Sequence, residues 1–172
     1  MSASSDFVQQ LFGLDDQVAV VIGGTGVLGG ALAEGLAQAG ARVVVAGRSE
    51  ERGHQRVKGI EALGGEATFL PVTADQRLSV QALLDSTITA FGQVDMLVNC
   101  AGTNSAIPYE QIPDDQWHKV VDGSLLTTHL GCQIFAPFMA TQADGGSILN
   151  IGSVTSHLPL SRVFAYSAAK AA

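Results

Sequence analysis

"VVIGGTGVLGG", residues 20–30, decides the reading of this chain. A β-branched apolar run feeds glycines at positions 23, 26 and 29, and a segment rich in Ala and Leu follows. Strand, tight turn and helix N-terminus in that order make the unit that cradles a pyrophosphate. Gly23 permits the sharp turn, Gly26 lets the backbone approach phosphate, and Gly29 lets the helix pack close to the strand. Gly24, Val27 and Leu28 complete the loop, whose helix N-terminus offers a partial positive charge to an anion. No Gly-Lys-Ser/Thr follows the loop, so an ATP-type phosphate loop does not fit. The expectation is a dinucleotide site.

Working outward, short apolar runs alternate with longer helical patterns. "QVAVVI" (17–22), "ARVVVAG" (41–47), "EATFLP" (66–71), "VDMLVN" (94–99) and "SILNIG" (147–152) read as strands covered on both faces. Between them, "VLGGALAEGLAQAG" ends on Gly40, "SEERGHQRVKGIEALGG" opens on Ser49 as N-cap, and "QRLSVQALLDSTITAFG" ends at Gly92. A longest helix is expected from about Asp114 to Ala140, with the acids of "PDDQW" in its first turn. Right-handed crossovers then dictate a doubly wound, Rossmann-like parallel α/β sheet of order 3-2-1-4-5, with ligand at the carboxyl ends of the first and fourth strands.

Composition narrows the partners. A net charge of -7 and only 9 Lys and Arg in 172 residues give no general attraction for nucleic acid or anionic membrane. The opening "MSASSDFVQQLFGL" has no basic residue and no apolar stretch of leader length, so a cytoplasmic protein is expected. Cys100 and Cys132 lack any C-x-x-C spacing, and His54, His118 and His129 have no partner at ligand spacing. Reduced, partly buried thiols and no metal site are the expectation.

The end of the second strand faces the adenosine ribose. An NAD site usually carries an acid there, accepting from the 2′-hydroxyl and repelling a 2′-phosphate. Here "VAGRS" (45–49) offers Gly47 with no carboxylate, then Arg48 and the Ser49 hydroxyl, both suited to a phosphate. NADP(H) is therefore preferred, with NAD(H) open.

Two further groups complete the pattern. "NCAG" occupies 99–102, and Ser153 stands thirteen residues before Tyr166, which is followed by Lys170 in "YSAAKAA". Tyr166 and Lys170, four apart on an expected helix, share one face. A phenol used as acid and base must fall from a pKa of about 10 toward neutrality, at a cost of about 4 kcal/mol. An ammonium about 4 Å away, at an effective dielectric near 20, supplies about 4 kcal/mol.

Together the glycine loop, "NCAG", Ser153 and Tyr166-x-x-x-Lys170 resemble the short-chain dehydrogenase/reductase family, from about Leu11 onward. The resemblance implies hydride transfer between a nicotinamide cofactor and a small-molecule carbonyl or alcohol. Tyr166 would exchange the proton, Lys170 would bond the nicotinamide ribose, and Ser153 would hold the substrate oxygen. Asn99, Ala101 and Gly102 would support the cofactor beside the fourth strand. Cys100 stands where many members have a second asparagine.

The sequence departs from the family in three places. Ile22 and Val27 replace a threonine and a glycine of the short branch's loop, giving a glycine rhythm more usual in sugar-nucleotide epimerases; an epimerase-like enzyme retaining NAD is one alternative. In "VVDGSLLTT" (120–128), Ser124 stands where a catalytic asparagine is usual, so a catalytically silent dinucleotide-binding module is another. The acid that often touches adenine has no clean counterpart: Thr73 falls at its spacing, and Asp75, kept as a candidate cofactor contact, reads first as a helix N-cap.

For the remaining residues, Trp117 is expected in the core. His157, Ser156 and "LPLSRVF" (158–164) are candidate pocket walls, as is "GTNSAIPYE" (102–110), whose Asn104 and Ser105 suit a polyol or keto-acid substrate. Relatives usually run to roughly 200 to 250 residues. The resemblance thus implies one NAD(P)-binding domain over 1–172, incomplete at its C-terminus, from an enzyme that is a homo-oligomer when full length.

Overall fold

A computed structural model describes residues 3–158 and 160–172. Met1 and Ser2 of the opening stretch, and Pro159 of the expected pocket wall, lie outside the described residues. The order is α1 (Ala3–Phe12), β1 (Val18–Ile22), α2 (Val27–Gln38), β2 (Arg42–Gly47), α3 (Glu50–Ala62), β3 (Glu66–Pro71) and α4 (Arg77–Phe91). Then come β4 (Met96–Asn99), α5 (Asp114–Val121), α6 (Thr127–Met139), β5 (Ser147–Asn150) and α7 (Phe164–Ala171). The five strands form one parallel sheet of order β3-β2-β1-β4-β5. This is the expected doubly wound arrangement, with the chain reversing direction across the sheet between β1 and β4.

The continuous apolar runs find their reason in two cores. Val20, Ile22, Val44 and Ala46 face Leu83 and Leu84 of α4 and Leu130, Ile134 and Phe135 of α6. Their neighbours Ala19, Val21, Val43 and Val45 face Ala33 and Ala37 of α2 and Ile60 of α3. Because successive strand residues point to opposite faces and both faces are covered, every position of β1 is buried. Trp117 belongs to neither core. It is half-buried, with its ring 6.0 Å from Phe164.

The expected caps form. Gly40 and Gly92 take positive φ at the ends of α2 and α4, and the Ser49 hydroxyl accepts from the Arg52 N–H at 3.4 Å. Asp75 is not an N-cap: α4 begins after Gln76, and the local side-chain bond is made by Ser79, whose hydroxyl accepts from the Thr73 N–H at 2.9 Å. The long helix expected from about Asp114 to Ala140 forms, with one departure from α geometry. Between α5 and α6, Asp122–Leu126 widen into a π-helical turn centred on Ser124, the kind of insertion that marks functional positions inside helices. The opening stretch, expected only to lack a leader, contains α1, whose Phe7, Leu11 and Phe12 are exposed.

Candidate active site

Two cavities open at the carboxyl ends of β1 and β4, where the topology places a ligand. Gly23 lies between them. Its φ of +92° and the Ala101 nitrogen 2.8 Å from any Cβ placed on it allow no other residue without displacement. Gly29 meets the same limit against the Gly23 carbonyl, which brings α2 hard against the loop. Backbone therefore forms the floor of both cavities.

The first cavity, about 320 Å³, is lined by Gly23, Thr25 and Gly26 of the loop and by Gly47 and Arg48 at the end of β2. Arg52, Asp75, Cys100–Thr103 and Lys119 complete much of its wall. Ser49 is absent from that lining, and its hydroxyl caps α3. Gly47 is buried against Thr25: a Cβ there would lie 2.7 Å from Thr25 Cγ2 and closer still to its hydroxyl. The missing carboxylate at 47 is thus a matter of space as well as sequence.

The second cavity, about 500 Å³, is lined by Gly23, Gly26, Val27, Leu28 and Gly29, by Cys100–Asn104, and by Ile151, Tyr166 and Lys170. Lys170 Nζ donates to the Ile151 carbonyl at 2.7 Å and stands 5.9 Å from the centre of the Tyr166 ring. Burial holds the Lys170 amine below the ordinary lysine range, with the nearby Cys100 thiol pulling the other way. Burial pushes the Cys100 thiol up, against the opposing influence of Lys170.

The fold brings most sequence-predicted residues to these walls and sends others elsewhere. Gly24 packs instead on the sheet, where a Cβ would lie 2.9 Å from the Val21 carbonyl and 3.1 Å from Val45. Asn99 is buried behind β4, its Nδ2 donating to Asn150 Oδ1 at 2.9 Å. Ser153 Oγ accepts from the Thr155 N–H at 3.2 Å and shares a 2.8 Å hydrogen bond with the Thr155 hydroxyl. Ser124 is buried with its hydroxyl bonded to Thr103.

Sequence reasoning missed Thr25, Arg52 and Lys119, whereas Thr103 lies in the expected wall 102–110. Arg52 was detectable in principle, one helical turn beyond Arg48 on a helix already expected to start at Ser49. Lys119 had no local signal, since only the crossover places α5 opposite α3. Cys100 and Cys132 are of intermediate exposure, in line with the partial burial expected. Among the described residues no helix is long and apolar enough to cross a membrane.

A parallel sheet of this order, a glycine loop over its centre, and a Tyr–Lys pair on the same wall define a dinucleotide-fold protein of the dehydrogenase type. The family model described as short chain dehydrogenase matches residues 17–172, and the chain belongs to that family. The chain is 35% identical over 164 residues to the short chain dehydrogenase/reductase astE of Aspergillus oryzae, covering 94% of this chain and 63% of that protein. It is likewise 35% identical to 2-dehydro-3-deoxy-D-gluconate 5-dehydrogenase of Escherichia coli K12, covering 92% of this chain and 62% of the relative. Among solved structures, a short-chain type dehydrogenase/reductase from Mycobacterium marinum superposes with a TM-score of 0.91 at 28% identity, over 99% of this chain and 68% of that one. The chain thus spans about six tenths of the length of the curated relatives it matches.

Proposed function

We propose that this chain carries the dinucleotide site and the proton-transfer residues of an NADP(H)-preferring oxidoreductase that interconverts a carbonyl and an alcohol on a small molecule. The observation that carries this reading is the shared wall: Tyr166 and Lys170 line the same cavity as Gly23, Gly26 and Gly29. The residues suit a nicotinamide dinucleotide, because glycine leaves the floor to backbone and the adjoining cavity offers Arg48 beside a buried Gly47. When bound, that group supplies or accepts the hydride.

The chain's own residues supply the rest. Tyr166 gives its hydroxyl proton to the substrate oxygen during reduction and takes one back during oxidation. Lys170 spends one of its three donors on the Ile151 carbonyl, which fixes the amine, and keeps two for a ribose and for polarising the phenol. Ser153 orients the substrate oxygen once its hydroxyl turns from Thr155. Arg48 holds the 2′-phosphate. Asn104 lines the second cavity, where a hydroxylated or keto-acid substrate would find a polar contact.

The test is NADPH consumption across a panel of small ketones and aldehydes. Turnover is expected to fall by about 10²–10⁴-fold in Tyr166→Phe, with NADPH binding retained. A second reading, a dinucleotide-binding module without turnover, is favoured by the hydroxyls of Ser124 and Ser153, both engaged in bonds within the chain. NADPH binding with no carbonyl consumed would select it.

A further inference from the structure

We infer that Arg52 is a specificity-determining residue, the second guanidinium of the 2′-phosphate site, so that preference for the phosphorylated nucleotide rests on an Arg48–Arg52 pair. The inference rests on the NADP(H) reading above. Sequence adjacency favours Ser49 as the companion of Arg48, but Ser49, whose oxygen accepts from the Arg52 N–H as the cap of α3, does not line the cavity. Arg52, one helical turn after Arg48, lines it together with Gly47 and Thr25.

Three of the other four arginines show what commitment looks like, and the fourth, Arg162, does not line this cavity. Arg42 donates to the Asp16 carbonyl and lies over the Phe91 ring, Arg56 pairs with Glu34, and Arg77 bonds Gln133. Arg48 and Arg52 have no ion pair or side-chain hydrogen bond among the described residues. Their forked donors remain free for an anion. A phosphate monoester carries about -1.5 to -2 charge at neutral pH, and two guanidiniums can each grip it through paired N–H donors. With Asp75 as the lone carboxylate among the lining residues, the wall is net cationic around an uncharged Gly47.

Calorimetric titration of the full chain with adenosine 2′,5′-bisphosphate and with 5′-AMP tests the pair. The unmodified protein is expected to prefer the bisphosphate. Arg52→Ala is expected to weaken the bisphosphate about tenfold or more and to leave 5′-AMP unchanged, which also verifies folding. Arg52→Lys should recover only part of the loss, since an ammonium lacks the fork. Lys119→Ala, on another wall of the same cavity, should keep the preference. Full preference in Arg52→Ala together with its loss in Arg48→Ala would overturn the inference and leave the NADP(H) reading standing. An equal loss in Lys119→Ala would reduce Arg52 to a general field effect and overturn it as well. No preference in the unmodified protein would overturn both readings.

Discussion

Ser124 holds Thr103 by both backbone groups: its hydroxyl donates to the Thr103 carbonyl at 3.0 Å and accepts from the Thr103 N–H at 3.2 Å. The serine sits 2% exposed in the π-helical turn, so the clasp ties the interrupted helix to the segment that follows β4. Thr103 lines both cavities. Ser124→Ala would leave two backbone groups without their partner and is expected to cost about 1–3 kcal/mol. Urea unfolding measures that loss, and hydrogen exchange at the Thr103 amide should rise with it. An unchanged exchange rate at Thr103 would show that the clasp does not hold the segment.

Gly47 and Thr25 would make the proposed NADP(H) preference hard to reverse by the obvious change. A Cβ at 47 would crowd the Thr25 side chain, with Cγ2 at 2.7 Å, and overpacking of this kind typically costs about 1–3 kcal/mol. Gly47→Asp alone is therefore expected to weaken NADP(H) and NAD(H) together. Adding Thr25→Gly clears the space, and the double variant is expected to favour NAD(H), since the carboxylate can then accept from a ribose hydroxyl. Binding titrations of both variants decide the point. A gain in NAD(H) affinity in Gly47→Asp alone would show that Thr25 yields.

The contrast between these two sites explains what the chain's letters disclose. The glycine loop, strand order and Tyr166–Lys170 pair are local or follow from handedness, so they are legible without coordinates. Ser49 and Asp75 each left two readings open. Each has a polar side chain that can serve either the backbone or a ligand, and only the geometry shows that Ser49 caps α3 while Asp75 caps nothing and lines a cavity. The π turn at Ser124 escaped because helical periodicity shifts by a single residue there, too little to register in the apolar pattern. Lys119 reaches the site through packing between elements distant in sequence, which no local pattern carries.

Lys170 and Cys100 predict opposite dependences of stability on pH. Burial depresses the Lys170 amine, so its contribution is complete above the unfolded value of about 10.4 and is lost as pH falls through the folded value. Burial raises the Cys100 thiol, so its contribution is complete below the unfolded value of about 8.5 and is lost as pH rises through the folded value. Urea midpoints across pH 7 to about 10 for Lys170→Met and Cys100→Ala separate the two. The stability of the unmodified protein relative to Lys170→Met should climb with pH, and relative to Cys100→Ala it should decline. Parallel curves for all three proteins would refute the assignment of these shifts to burial.

Asp95 fastens the opposite end of the sheet. Its Oδ2 accepts from the Val18 N–H at 2.7 Å, where β1 begins, and from Gln93 Nε2 at 2.8 Å. Gln93 in turn donates to the Asp16 carbonyl at 2.9 Å, so one carboxylate aligns the starts of β1 and β4 with the turn before them. Hydrogen bonds to a charged group contribute about 1.5–3 kcal/mol. Asp95→Ala is expected to lower unfolding free energy by about 2 kcal/mol, and Asp95→Asn by less, since its amide oxygen can still accept from Val18. Both cavities lie at the other end of the strands, so the affinity of the folded protein for nucleotide should be unaltered in either variant. An affinity loss in Asp95→Ala under conditions where circular dichroism shows it folded would mean that strain at the base of β1 reaches the glycine loop, contrary to the independence expected of well-separated sites.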